Sequence, residues 1–219
     1  MDVQVSLSEK IKEVAPNLKL GLLEAHVKVT DHNETLWEEI DAMTENFDLE
    51  TSDIAKLSPV SAARKVYRAL GKDPTRYRLS SDSLMRRIVK SQGLYKVNDV
   101  VDINNLLSLE CGHSIGTYDL DKIQGPIVYD VGTADEEYRG IGRGVLNIDG
   151  LPVFKDELGS FGSATSDSER TMVTTQTKRI LMNIIAFDGD ASLNDWMDKA
   201  ACLLETYVEG QVTKRWIVE

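Results

Sequence analysis

The chain has 219 residues, 42% of them apolar and 28% charged, and a net charge of −11. That length gives one large domain or two small ones, with core enough to fold without covalent or metal staples. Cys111 and Cys202 stand far apart with no metal-ligand spacing, so both read as lone thiols of a protein in a reducing compartment, the cytoplasm. No apolar run approaches the roughly 18 residues of a membrane span. The start, Met1-Asp2-Val3-Gln4, lacks the basic and apolar stretches of a signal peptide.

Along the chain, Asp2–Val5 alternates like a short strand. Ser6 can then cap a helix to about Val14, with Glu9 completing a capping box. Leu18–Thr30 reads as a strand, most clearly over His26-Val27-Lys28-Val29-Thr30. Asp31 or Asn33 caps a helix to about Phe47. Ser58-Pro59-Val60 opens another, stopped by Gly71.

Ser80-Ser81-Asp82-Ser83 offers N-caps for a helix to about Gly93, with Leu84, Met85, Ile88 and Val89 at helical spacing. Asn98 or Asp99 begins a further helix that ends at Gly112. Beyond Gly125 the pattern turns to strands: Pro126–Val131, Val145–Ile148, Pro152–Lys155, Thr171–Thr175 and Arg179–Phe187. Asp149-Gly150 signals a hairpin between the second and third of these. Gly140-Ile141-Gly142-Arg143-Gly144 reads as a flexible hairpin rather than a phosphate loop. A helix over about Leu193–Val208, burying Trp196, Leu203 and Leu204, and a strand over Val212–Val218 close the chain. Helices first and in the middle, with strands clustered later, make the class α+β. No linker marks a boundary, so residues 1–219 are expected to form one domain.

Charge is unevenly placed. Between Ser61 and Lys96 ten basic residues face only Asp73 and Asp82, a segment of +8 within a chain whose remainder is −19. Such a patch can dock a phosphate backbone, with Arg78, Arg86, Arg87 and Lys90 as the contacts; equally, it can be two solvated helix faces paired with acidic neighbours. His26 and His32 have no carboxylate or cysteine at ligand spacing, so no metal or other cofactor is expected.

Two stretches carry a family resemblance. The first runs from Arg78-Leu79-Ser80-Ser81-Asp82 through Val97-Asn98-Asp99-Val100-Val101-Asp102-Ile103-Asn104-Asn105 and Leu109-Glu110-Cys111-Gly112 to Tyr118-Asp119-Leu120-Asp121 and Gly125-Pro126-Ile127. The second is Phe161-Gly162-Ser163 with Asp167-Ser168-Glu169-Arg170-Thr171. Together they resemble the B3/B4 domain, the editing domain of the phenylalanyl-tRNA synthetase beta subunit. Residues 78–187 hold the matched core; 1–77 form an α/β part without quotable similarity, and 188–219 a closing helix and strand.

The resemblance implies three layers, with a β-sandwich-like core and helices packed on one side. It implies an aminoacylated tRNA end as partner and hydrolysis of a wrongly attached amino acid as reaction. The family's Thr-Asn pair falls on Asn104 and Asn105, its His on Gly116, and its strand Glu near Thr174, so the asparagine is kept and both ionisable groups are lost.

Chemically, deacylation needs an activated water, an oxyanion donor and a grip on the ammonium. Asp102 or Asp119 can hold an ammonium, Asn105 can donate to the ester carbonyl, Arg170 can clamp an anion, and Ser168 and Thr171 can place water. His113 is the obvious base candidate. Each also has a structural reading: buried hydrogen bonding for Asp102 and Asn105, turn capping for Asp119, an Asx turn for Asp167-Ser168, a surface cation for Arg170, and a helix-end dipole partner for His113. Two functions follow, a trans-acting hydrolase of misacylated tRNA or a non-catalytic module for a free amino acid or similar small ligand.

Overall fold

The computed structural model describes residues 3–219. Its core is a sandwich of two four-stranded sheets. The first has the order β1-β4-β7-β8, from β1 (Val5–Leu7), β4 (Ile127–Val131), β7 (Pro152–Asp156) and β8 (Gly159–Ser163), with β1 parallel to β4 and the other pairs antiparallel. The second is antiparallel with the order β10-β2-β9-β3, from β2 (Lys19–His26), β3 (Ser114–Asp119), β9 (Arg179–Ala186) and β10 (Gln211–Val218). A separate hairpin joins β5 (Glu137–Gly140) to β6 (Gly144–Asn147).

Alternation along the second sheet separates two apolar clusters, because successive side chains point to opposite faces. Leu20 and Leu22 of β2, Tyr118 of β3 and Leu181 and Ile185 of β9 face the first sheet and meet Tyr129, Phe154 and Phe161. Tyr118 packs edge-on to Phe161 with ring centroids 4.9 Å apart. Leu23, Ala25, Met182 and Ile184 face the other way, against α2 (Glu34–Glu45), α6 (Asp99–Cys111) and α7 (Leu193–Tyr207). Gly21 lets α7 approach, since a Cβ there would stand 2.9 Å from Leu193 Cδ1. The layers are therefore helix, sheet, sheet, an α+β fold with its helical layer on one face. Two helices depart from that layer: Ile11 of α1 (Glu9–Val14) and Val60, Ala63, Val66 and Tyr67 of α4 (Ser58–Ala69) join the sandwich cluster.

Asn33 caps α2, and Asn98 caps α6 by accepting from the Val101 amide at 3.0 Å. Gly112 closes α6 with φ 77°, a left-handed conformation that glycine adopts without strain.

Several expectations need correction. Met1 and Asp2 lie outside the described residues, and the first strand is Val5–Leu7; Ser6 sits inside it, while Ser8 caps α1 by accepting from the Ile11 amide. Strand β2 ends at His26, so its β-branched continuation is loop. Helix α5 spans Ser80–Val89 with Leu79 at the cap position, which places Ser80 through Ser83 within the helix. Residues 171–175 form no strand: a 3-10 turn ends at Thr171, 172–174 are irregular, and a turn follows in which the Thr177 amide donates back to the Thr174 carbonyl. Asp149-Gly150 turns between two sheets, because β6 pairs with β5 and β7 with β4. The hairpin expected at 140–144 does form, with Gly140 in register against Gly144. Trp196 is only partly buried, unlike Leu203 and Leu204.

Candidate functional site

Helix α5 buries Ser81, Asp82 and Met85, and this turns a polar stripe outward: Ser83, Arg86, Arg87 and Lys90 recur at three- and four-residue spacing. That stripe walls a cleft of about 400 Å³. Arg78 enters from the loop that leads into α5, Asn105 from α6, Thr165 from the loop after β8, and Arg143 from the tip of the β5–β6 hairpin. Five cationic side chains thus surround Asn105, and no carboxylate lines the cleft.

These cations are not equivalent. Arg86 is tied to Asp82, whose other oxygen receives Arg64 Nη1 at 3.0 Å; the Asp82 side chain is fully buried, so this trio holds α5 to α4. Arg87 donates to the Gly93 and Gln92 carbonyls and to the Tyr95 hydroxyl at 2.8 Å, with its guanidinium 3.8 Å from that ring centre. Tyr95 is exposed and lines the cleft, with the Arg87 guanidinium over its ring. Lys90 and Arg143 are exposed and form no ion pair among the described residues, and Arg78 Nε is buried without a partner.

The remaining candidates lie elsewhere. Asp102 does not line the cleft beside Asn105: it is buried and accepts from Trp37 Nε1 at 2.7 Å and from the Val97 amide. Burial pushes its carboxyl up, against the pull of those two donors. Asn104 points at the sheet and accepts from Thr117 Oγ1 at 2.9 Å. Asp119 is buried, accepting from the Asp121 amide and from Thr177 Oγ1 at 2.8 Å, and does not reach the cleft. His113 is buried with Nε2 3.1 Å from Asp190 Oδ2 and Nδ1 unpartnered, outside the cleft.

Arg170 is committed to a bidentate pair with Asp156, at 2.8 and 2.9 Å, and to the Lys122 and Gly159 carbonyls. Ser168 Oγ accepts from the Arg170 amide, and Thr171 is fully buried against the Phe161 carbonyl. Thr174 sits in its turn, with Oγ1 accepting from Gln176 N.

Gly116, the position that the resemblance implies for the family's histidine, faces the sandwich interior. A Cβ there would meet Tyr118 Oη at 2.6 Å and Asn183 Nδ2 at 3.0 Å. The residue opposite it on the later strand is Asn183, whose Nδ2 donates to the Gly116 carbonyl at 2.8 Å and whose Oδ1 is buried without a partner. Next to this pair, Asp167 accepts from Tyr118 Oη at 3.0 Å and from the Ser163 amide at 3.2 Å. Burial outweighs both donors and pushes its carboxyl up to about 7.

Residues 62–198 match the family model of the B3/4 domain. The chain belongs to the B3/4 domain family. Similar to this B3/4 protein is the phenylalanine–tRNA ligase beta subunit of Fusobacterium nucleatum, 30% identical over 111 residues, covering 49% of this chain and 14% of that one. The corresponding subunit of Bifidobacterium longum is 26% identical over 151 residues, covering 65% and 17%. The B3/4 chain thus spans about one sixth or less of the curated relatives it matches. Among solved structures, an N-terminal fragment of the phenylalanyl-tRNA synthetase beta subunit from Pyrococcus horikoshii aligns with all of this chain and 51% of that one, at TM-score 0.46 and 15% identity.

Sequence reasoning missed Arg143, Thr165, Tyr95 and Asn183. The basic character of Arg143 was visible, but its place opposite α5 depends on the hairpin folding over the cleft. Asn183 is signalled only as a lone polar residue inside an otherwise apolar strand.

Proposed function

We propose that this B3/4 protein binds the aminoacylated end of a tRNA in the cleft over Asn105. The observation that carries this reading is the convergence of Arg78, Arg86, Arg87, Lys90 and Arg143 on one groove that no carboxylate lines, in a chain whose net charge is −11. Phosphate contacts supply most of the affinity for a nucleic acid, and a localised cationic groove confines them to one place. Tyr95 offers a face on which an unpaired base stacks, the usual way proteins grip single-stranded ends. The curated relatives are tRNA ligase subunits, and that supports the choice of nucleic acid.

On this reading the reaction is hydrolysis of a misattached amino acid from its tRNA. The Asn105 amide donates to the ester carbonyl, and the surrounding cations stabilise the oxyanion as water adds. A second reading, binding without cleavage, is favoured by one observation: neither carboxylate nor imidazole lines the cleft, so the protein supplies no general base there. The test is deacylation of a panel of misacylated tRNAs by the purified protein beside its Asn105→Ala variant. Release of one amino acid, lost in the variant, supports the hydrolase; tRNA binding with no release from any pair supports binding without cleavage.

A further inference from the structure

A second cavity, of about 250 Å³, adjoins the cleft and shares Arg143 and Thr165 with it. Tyr77, Tyr138, Leu146 and Leu151 give it apolar walls, interrupted by Asn147 and by the hydroxyls of the floor. The hydroxyls of its floor are spent on one another. Tyr138 Oη donates to the Ser166 carbonyl, and Ser163 Oγ donates to the same carbonyl at 2.9 Å while receiving the amides of Thr165 and Ser166. Thr165 Oγ1 lies 3.0 Å from the Tyr67 hydroxyl. A ligand body therefore meets hydroxyls already engaged, beside the Asn147 side chain, whose Oδ1 accepts from the Asp149 amide. At the mouth the chemistry changes: Arg76 and Arg143 are both exposed, and neither forms an ion pair among the described residues.

We infer that this cavity binds a small amphipathic anion, a single aromatic or branched apolar body bearing a carboxylate or phosphate and no ammonium. The body gains by leaving water for apolar walls. The head gains two guanidinium groups, which match a carboxylate or phosphate fork-to-fork. An ammonium on the same ligand finds no carboxylate in the lining and two cations at the mouth, so a free amino acid is selected against. The volume falls below the roughly 300–1,000 Å³ common for small-molecule sites, which limits the body to about one ring. The site does not depend on tRNA binding, but Arg143 belongs to both cavities, so a bound anion neutralises one of the cleft's cations.

Isothermal titration of the full chain with 3-phenylpropanoate, phenyl phosphate, 3-phenylpropanamide and L-phenylalanine tests the inference. One or both anions are expected to bind, the tighter naming the head group, with the amide and the amino acid at least tenfold weaker. Arg76→Ala combined with Arg143→Ala, both at exposed positions, is expected to weaken the anion at least tenfold. Failure of both anions to bind, equal binding of the amide or amino acid, or binding that survives the double replacement overturns it. Arg76→Ala alone separates this site from the tRNA reading, because Arg76 lines only the second cavity: anion binding falls while RNA binding holds. If the unaltered protein binds no RNA, the anion titration stands by itself.

Discussion

Tyr118 reaches across the sandwich to donate its hydroxyl to Asp167 at 3.0 Å, and it does so through space left open by two glycines. A Cβ at Gly116 would stand 2.6 Å from that hydroxyl, and one at Gly162 would stand 2.2 Å from it. The side chain that the family resemblance places at 116 and the Tyr118 hydroxyl compete for one volume, and in this protein the tyrosine holds it. Gly116→Ala should cost about 1–3 kcal/mol, as overpacking of a filled core does. In a Tyr118→Phe background the same replacement should cost much less. Urea unfolding of the unaltered protein and the three variants measures both steps, and an equal penalty in the two backgrounds refutes the steric account.

Asp167 couples this cluster to pH. Its folded carboxyl is raised to about 7, so the folded state favours the protonated acid. A raised acid contributes stability that is full below the unfolded value of about 4 and is lost as pH rises through about 7. The stability of the protein relative to Asp167→Asn should therefore fall between those two pH values, by a few kcal/mol at most. Parallel pH profiles for protein and variant contradict the placement of a buried acid there.

Asp102 is a structural residue on the geometry of its contacts, since both oxygens are engaged by Trp37 and Val97 inside the core. Asp102→Ala should lower stability by about 1–3 kcal/mol through the stranded indole N–H. Its RNA affinity at a temperature where it stays folded should match that of the unaltered protein, and a selective loss of RNA binding would reassign Asp102 to the ligand.

Asp82 is fully buried between Arg64 and Arg86. Breaking such a pair by removing one partner costs about 3–5 kcal/mol, because the other charges stay behind. Asp82→Ala should show that loss in thermal or urea unfolding; a near-neutral effect contradicts a fastening role. Arg86 for the same reason is a poor probe of RNA contact, its removal unsettling α5 itself.

Much of the helical framework was legible because local chemistry sets it. Asn33 and Asn98 cap, Gly71 and Gly112 stop, and Pro59 opens, each through its own backbone or nearest neighbours. Strand pairing was less legible, because partners such as β2 with β9 lie far apart in sequence. Asp149-Gly150 carries a hairpin signal that the fold uses to change sheets. The site divides in the same way. Arg78, Lys90 and Asn105 fall together because they sit on neighbouring short segments that the family pattern also links. Arg170, Asp119 and His113 have the right chemistry, but distant partners claim them: Asp156, Thr177 and Asp190, none of which local spacing reveals.

The most direct test of the cleft is the salt dependence of tRNA binding by the protein and by its Lys90→Ala/Arg143→Ala variant. Both residues are exposed and unpaired among the described residues, so the fold should be untouched. Loss of two phosphate contacts should weaken binding and reduce the slope of log affinity against log salt by between about 1 and 2. An unchanged slope with unchanged affinity would show that the RNA, if bound, lies elsewhere on the molecule.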